Sequence, residues 1–175
     1  LDVLYLVHPN HKPQLLIRTA TDTFSIGDFD SALSGQALVN AYPYLNQNST
    51  AVTITPSATS GSGITLTATG AIFNSKHIGA IFKINHGGTI GAARVTAYTD
   101  STHVSANVLV AFGAATAKAE WWESAWSDYR GWPRSCCIFE QSLVMSGTYH
   151  QPDTNWLSST ASYQYFSVVG LLVDD

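Results

Sequence analysis

The sequence predicts an all-β protein, and three observations lead to this fold class. Apolar residues make up 45% of the 175 positions, which is enough for a buried core. Charged residues make up only 11%, and 18 Thr and 19 Ser stand in their place. Apolar and hydroxyl side chains alternate along many segments, as expected of half-buried strands, because a β-branched Thr fits the solvent face of a sheet.

The first segment of the chain, residues 1–47, predicts a β-hairpin followed by a third strand. VLYLVH (residues 3–8) and QLLIRTA (residues 14–20) are the hairpin strands, and PNHKP between them has the residues of a turn. TFSIGDF (residues 23–29) predicts the third strand. The apolar residues come in mixed runs, which indicates strands that are covered on both faces.

The middle segment, residues 48–119, differs in composition and predicts an inserted small β-barrel or sandwich. It contains no tryptophan, and its strands alternate: Ile64, Leu66 and Ala68 point to one face and the threonines between them to the other. AVTIT and HVSANVLV repeat this pattern, and ATSGSG and INHGG supply glycine-containing turns. NSKHIGA predicts a single helical turn capped by Asn74 or Ser75.

The last segment, residues 120–175, returns to the pattern of the first. SCCIFEQ and LVMSGTY predict a strand pair, HQPD a turn, TNWLSST the next strand, and YQYFSV (residues 163–168) a short aromatic strand. The same order of hydrophobic strand, proline-containing turn, strand and short strand occurs in residues 3–29. Repeated short sheet units are typical of propellers, so we predict partial β-propeller blades at both ends of the chain.

Charge and hydropathy argue against two classes of partner. The net charge is −4 and the isoelectric point is near 5.8, whereas proteins that bind nucleic acids specifically usually carry a basic stripe. The sequence has no run of 18 or more apolar residues, so we predict no membrane span. The chain begins at Leu1 without an initiator methionine, and we expect it to be a fragment of a longer protein.

The stretch EWWESAWSDYRGWPRSCC (residues 120–137) holds four of the five tryptophans. A cluster of this kind can pack two folded units together, or it can form a platform on which a glycan or a base stacks. We favour packing, because the stretch lies where the chain leaves one β-unit and enters another, and keep glycan contact as the alternative. The candidate residues for packing or ligand contact are Trp121, Trp122, Trp126, Arg130, Gly131, Trp132, Pro133 and Trp156.

Other polar groups give weak signals for chemistry. His8 and His11 flank the first turn without a third metal ligand nearby, and GDFD is too short for a calcium loop. Glu120, Glu123 and Asp128 are the clustered acids that a glycosidase would need, but no triad order or phosphate loop accompanies them. We therefore predict no catalytic, cofactor-binding or metal-binding residues, and expect Arg130 and Arg134 to pair with these acids or with carbonyls.

Two parts of the chain resemble a family of tail proteins from short-tailed bacteriophages. The family is the nozzle, or tail tubular protein B, family, and its pattern is carried by DVLYLVHPNHKPQLLIRT (residues 2–19) and AWSDYRGWPRSCCIFEQSLVMSGTYHQPDTNWLSST (residues 125–160). The middle segment also resembles the one these proteins carry there, in TPSATSGSGITLTA and AIFNSKHIGAIFKI. The sequence departs from the family pattern at residues 161–166, where family members usually have a G-D-F/Y-x-N-F run. The matching positions are Trp126, Ser127, Arg130, Gly131, Trp132, Pro133, Arg134, Phe139, Leu143, Ser146, Gly147, Thr148, Gln151, Pro152, Thr154, Trp156 and Ser158.

This resemblance implies a structural role and no enzymatic activity. The family implies a large β-propeller with inserted domains, whose copies form a ring below the portal and adaptor and line the channel through which DNA leaves. The expected partners are other copies of the chain, portal, adaptor and distal tail proteins, and passing DNA without sequence specificity. The expected location is the virion tail, after assembly in the bacterial cytoplasm. A receptor- or glycan-binding β module is the alternative function.

Overall fold

The computed structural model describes residues 2–45 and 51–166 and confirms the all-β class. Strands make up 50% of the structure and helices 6%. The strands form a three-stranded sheet at each end of the sequence and a six-stranded sheet between them.

The N-terminal sheet is an antiparallel meander of three strands. These are β1 (Asp2–His8), β2 (His11–Ala20) and β3 (Thr23–Asp28), in the spatial order β1-β2-β3. The predicted hairpin and third strand are confirmed, but the predicted turn was too long: Pro13 lies inside the central strand β2. Proline is accommodated there because the β1–β2 register shifts between Leu6 and His8, and such a bulge removes the need for a ladder N–H.

A short helix follows this sheet that the sequence patterns did not predict. Helix α1 (Gly35–Asn40) buries Leu38 and Val39. Six residues are fewer than two helical turns, so the segment shows too little periodicity to be recognised as a helix from its sequence.

The middle of the chain forms a six-stranded sheet that curls into a half-barrel. Its inward row Ile64, Leu66 and Ala68 is buried while Thr65 and Thr67 stay partly exposed, as predicted. The predicted helical turn is a 3-10 helix (Ser75–His77) capped by the Asn74 side chain. The strands are β4 (Ile54–Pro56), β5 (Ile64–Ala68), β6 (Ile81–His86), β7 (Thr89–Asp100), β8 (His103–Val110) and β9 (Trp121–Glu123), in the order β4-β5-β8-β7-β6-β9.

The C-terminal sheet repeats the meander of the N-terminal one. Its strands β10 (Ser135–Phe139), β11 (Ser142–Ser146) and β12 (Asn155–Leu157) pair in the order β10-β11-β12. The short strand predicted at residues 163–168 was wrong for its described part, because residues 163–166 form turn and irregular backbone. Ala161 there has φ of 58° and Phe166 donates its N–H to the Asn40 carbonyl, so the chain turns towards α1 instead of pairing with β12. Residues 167 and 168 lie outside the described residues.

Buried side chains form two hydrophobic clusters. The first fills the half-barrel with residues from β4 to β9, among them Leu66, Phe82 and Trp121. The second, which we call the junction core, joins all three sheets around Trp126, with Phe29 after β3 and Trp156 on β12. Among the described residues, no helix is both long enough and apolar enough to cross a membrane.

Candidate functional site

The tryptophan-rich stretch lies where the three sheets meet, and Trp126 is at the centre of the junction. Its side chain is 1% exposed. Its ring meets Phe166 at 4.9 Å and Trp156 at 5.6 Å between ring centres, both in edge-to-face geometry. Phe29 and Tyr42 approach from the N-terminal side at 6.5 and 6.2 Å. Edge-to-face contacts suit aromatic quadrupoles, so this residue packs segments far apart in the sequence against one another.

Trp121 and Trp122 point to opposite faces of strand β9. Trp121 is 3% exposed, lies in the half-barrel core beside Phe82, and donates Nε1–H to the Val52 carbonyl at 2.9 Å. Trp122 is only half-buried, and the Lys83 ammonium lies 5.8 Å from its ring centre and 3.6 Å from that of Tyr44. Burial lowers the pKa of Lys83 to about 8. Of this pair, only Trp122 retains surface that a ligand can reach.

A buried acid, Glu123, joins the half-barrel to the loop that follows it. Its carboxylate is 2% exposed and accepts two hydrogen bonds from Arg130, Nε–H at 2.9 Å and Nη2–H at 2.5 Å. His77 Nε2 lies 3.0 Å from Oε1. The Asn74 backbone N–H donates to His77 Nδ1 at 2.8 Å, so Nε2 carries the ring proton and donates to Glu123. Burial acts to raise the pKa of Glu123, but these donors outweigh it and lower the pKa.

A second buried acid, Asp30, joins the N-terminal sheet to the half-barrel. Its carboxylate contacts Lys12 Nζ and Arg94 Nη2, each at 2.5 Å, and accepts the Tyr42 hydroxyl at 2.8 Å. Burial acts to raise the pKa of Asp30, but the hydrogen bonds from Lys12 and Arg94 outweigh it and lower the pKa. Two cations already neutralise this acid, so it is poorly placed to bind calcium together with Asp28.

The RGWPR turn fixes the direction of the chain as it leaves the half-barrel. Ser127 and Gly131 exchange backbone hydrogen bonds, and Gly131 has φ of +91°. A Cβ atom at Gly131 would lie 2.7 Å from the Tyr149 nitrogen, so only glycine fits. Trp132 donates Nε1–H to Asp128 at 2.7 Å, and Pro133 behind it is buried.

The two arginines of this turn have different surroundings. Arg130 pairs with Glu123, as the sequence analysis expected. The Arg134 side chain forms no salt bridge within residues 2–45 and 51–166, and its backbone N–H donates to the Ser146 and Gly147 carbonyls.

A groove of about 720 Å3 opens beside this turn. The β1–β2 turn, the residues around the 3-10 helix, the RGWPR turn and the segment after β11 all contribute to its wall. Sequence reasoning missed most of these groups, because residues far apart in the chain meet only in the fold. They include Asn10, Asn74, Lys76, Tyr129, Tyr149 and His150.

Both three-stranded sheets expose apolar side chains on the face turned away from the junction core. We call these the outer faces. In the N-terminal sheet, Tyr5 and Leu15 pack towards the core, and the alternate row Leu4–Leu16–Ile26 points outward. Leu4 is 56% exposed and Ile26 61%. In the C-terminal sheet the outward row contains Cys137, Val144 and Leu157.

The described residues contain no group of three or more His, Cys, Asp or Glu side chains that could hold a metal ion. His8 and His11 do approach each other, with ring centres 5.0 Å apart. No protein-family model matches the chain. No curated protein matches it either.

Proposed function

We propose that the chain is a structural part of a phage tail nozzle, with propeller blade material in residues 1–47 and 120–175. The observation that carries this proposal is the pair of apolar outer faces. A blade inside a propeller packs between two neighbours, so both of its faces are apolar. Four apolar side chains on these faces are 47 to 61% exposed: Phe24 and Ile26 on one sheet, Phe139 and Leu157 on the other. We expect this exposure if the blades that cover these faces are not part of residues 1–175.

The half-barrel fits the role of the inserted domain. Its strands β4 to β8 are consecutive in the sequence and enclose a hydrophobic cluster of their own. We assigned residues 48–119 to the insert, and the sheet also takes in β9 (Trp121–Glu123) through its pairing with β6. The tryptophan-rich stretch then begins inside the insert's sheet and ends in the returning blade.

The proposed role rests on assembly geometry and involves no enzymatic step. Glu123 and Asp128, two of the acids that a glycosidase would use, hold Arg130 and Trp132 in place. Copies of the chain would form a closed ring through heterologous interfaces. The ring would contact portal, adaptor and distal tail proteins and pass DNA without reading its sequence. It would be assembled in the bacterial cytoplasm and reside in the virion tail.

Electron microscopy of virions labelled with an antibody against residues 51–120 tests this proposal. The nozzle role predicts label on the tail close to the head, in rotationally symmetric positions. Label confined to fibre tips, or absent from virions, would contradict it. An antibody against a capsid protein serves as the labelling control on the same particles.

The alternative, a glycan-binding module that stacks sugars on the tryptophan-rich stretch, has less support. Trp121 and Trp126 are 3% and 1% exposed, too little for a sugar ring to stack on either. Trp122 is half-buried beside Lys83. Quenching of tryptophan fluorescence by an oligosaccharide, abolished in a Trp122→Ala variant, is the result that would favour this alternative.

A further inference from the structure

The groove beside the RGWPR turn has a volume large enough for a small molecule. Its volume of about 720 Å3 falls within the roughly 300–1,000 Å3 of small-ligand clefts. Four separate segments of the chain contribute to it, so its shape depends on the folded junction.

The aromatic rings in the groove lining include Tyr129, Tyr149 and His150, which contact one another in sequence. Buried His77 contacts Tyr129 behind the groove wall, with ring centres 4.2 Å apart and planes tilted by 40°, and Tyr129 contacts exposed His150 at 5.4 Å with a tilt of 31°. Tyr149 meets His150 edge-on at 5.4 Å and is itself 75% exposed. An exposed tyrosine offers a flat apolar face with a hydroxyl at its edge, which suits the C–H face of a sugar ring.

The polar groups in the groove lining are of the kind that bind hydroxyls. The amide side chains of Asn10 and Asn74 line the groove and are exposed. Asp128 lies there too, with Oδ1 accepting the indole N–H of Trp132 at 2.7 Å. An amide can donate to or accept from a sugar hydroxyl, and a carboxylate accepts from one.

The charge in the groove favours a neutral ligand over an anionic one. The lining includes one lysine, Lys76, and one acid, Asp128, which balance each other. The neighbouring guanidinium of Arg130 is turned to Glu123, which it binds through two nitrogens. Phosphate and nucleic-acid sites normally gather several free arginines or lysines, and the described lining lacks such a group.

The walls are held in place before any ligand arrives. The close approach of Tyr149 to Gly131 fixes its backbone, and the His150 N–H donates to the Arg130 carbonyl at 3.2 Å. Arg130 also lies over the Tyr129 ring, 4.9 Å from its centre. A rigid site loses little conformational freedom on binding.

We propose that this groove binds a neutral oligosaccharide, with Tyr149 as the stacking surface and Asn10, Asn74 and Asp128 as hydroxyl partners. The proposal does not depend on the nozzle role, because a structural subunit and an unrelated module can each carry such a groove. It uses other residues than the buried tryptophans.

Titration calorimetry and saturation-transfer NMR on the 175-residue protein test the site. The probes are neutral hexasaccharides of glucose, mannose, galactose and N-acetylglucosamine, with a single-stranded oligonucleotide and a uronic-acid hexasaccharide as anionic comparators. We expect saturable binding of at least one neutral probe below about 10 mM, with Tyr149→Ala weakening it about tenfold or more. Tyr98→Ala, a partly exposed tyrosine on β7 outside the groove, is the matched control and should change affinity less than twofold.

Lys76→Ala separates the two classes of ligand. For a neutral saccharide we expect a change below threefold, whereas an anionic ligand would lose most of its affinity. The proposal is overturned if no neutral probe binds, if Tyr149→Ala and Tyr98→Ala weaken binding equally, or if only the anionic probes bind. Circular dichroism and thermal melts of each variant establish that a lost signal reports binding and not unfolding.

Discussion

The His77 ring and the Glu123 carboxylate form a buried hydrogen bond of 3.0 Å across 46 positions of sequence. His77 ends the 3-10 helix and Glu123 ends β9, so the bond connects a loop of the half-barrel to its last strand. Arg130 completes the group from the RGWPR turn. Because the neutral imidazole supplies a donor and the guanidinium supplies the charge, the carboxylate is satisfied on both oxygens.

Replacing Glu123 by Ala should therefore destabilise the protein by about 3 kcal/mol, because it leaves the Arg130 charge and the His77 N–H without their partner. Urea unfolding followed by tryptophan fluorescence measures the change. Glu120→Ala, three positions earlier and just before β9, without a salt bridge among the described residues, should cost under about 0.5 kcal/mol. Equal losses for the two variants would contradict the role given to Glu123.

Gly131→Ala should destabilise the protein by about 3 kcal/mol, since it adds a backbone clash with Tyr149 to the strain of a positive φ. Gly79 is a close control: its φ is +90°, and nothing lies within 4 Å of an added Cβ. Gly79→Ala should cost about 1 kcal/mol from strain alone. The difference between the urea midpoints of the two variants measures the cost of the clash with Tyr149, and equal midpoints would contradict that clash.

Trp126→Ala should cost about 4 kcal/mol, because it opens a cavity at the centre of the junction core. Trp126→Phe should cost less, partly because the buried indole N–H has no hydrogen-bond partner among the described residues. Trp122→Ala is the same substitution at a half-buried site and should cost less than half as much. Differential scanning calorimetry ranks the stabilities of the three variants. A larger loss for Trp122→Ala than for Trp126→Ala would contradict the central place of Trp126 in the junction core.

The free energy of unfolding should decrease at acid pH because Asp30 becomes protonated. Its folded pKa lies below the usual 3.8, so between the two values the unfolded chain binds more protons than the folded one. This contribution is complete above about pH 5 and is lost as the pH falls through the folded pKa. Free energies of unfolding from pH 2 to 7 should show a smaller acid-side slope for Asp30→Asn than for the wild type.

Asp28→Asn is the control for that series, because Asp28 also faces Lys12 but keeps 48% of its side chain exposed. It should lower the free energy of unfolding at pH 7 by under about 0.5 kcal/mol, as exposed ion pairs usually do. Asp30→Asn should cost about 3 kcal/mol at the same pH, since Lys12 and Arg94 lose a buried partner. An unchanged acid slope in Asp30→Asn would assign the acid sensitivity to other groups.

The outer faces proposed for blade packing should make the isolated chain associate. Phe24→Lys combined with Ile26→Lys should reduce concentration-dependent association in analytical ultracentrifugation, because a buried lysine would lose its hydration. Thr96→Lys with Thr99→Lys adds the same charge to exposed positions of β7. An equal effect of both pairs would point to net charge alone, and a monomeric wild type would leave these faces without a function in assembly.

The sequence by itself determined the strands that alternate and the loops that break them. The alternation of Ile64, Leu66 and Ala68 with threonines predicts a half-buried strand whatever its neighbours, because side chains on a strand point to alternate faces. The cap at Asn74 is equally local. Helix α1 was missed because six residues span fewer than two helical turns, and the turn at Ala161 was missed because a single residue with positive φ leaves no periodic pattern.

Only the tertiary structure decided what the tryptophan-rich stretch does. Its place between two β-units favoured packing, but the residue types left a sugar platform open as the alternative, since indole rings serve both. The fold buried Trp121 and Trp126, joined Glu123 to His77, and placed Tyr149 and Asn74 around one groove. Such contacts join residues separated by tens of positions, so the spacing of residues along the sequence cannot predict them.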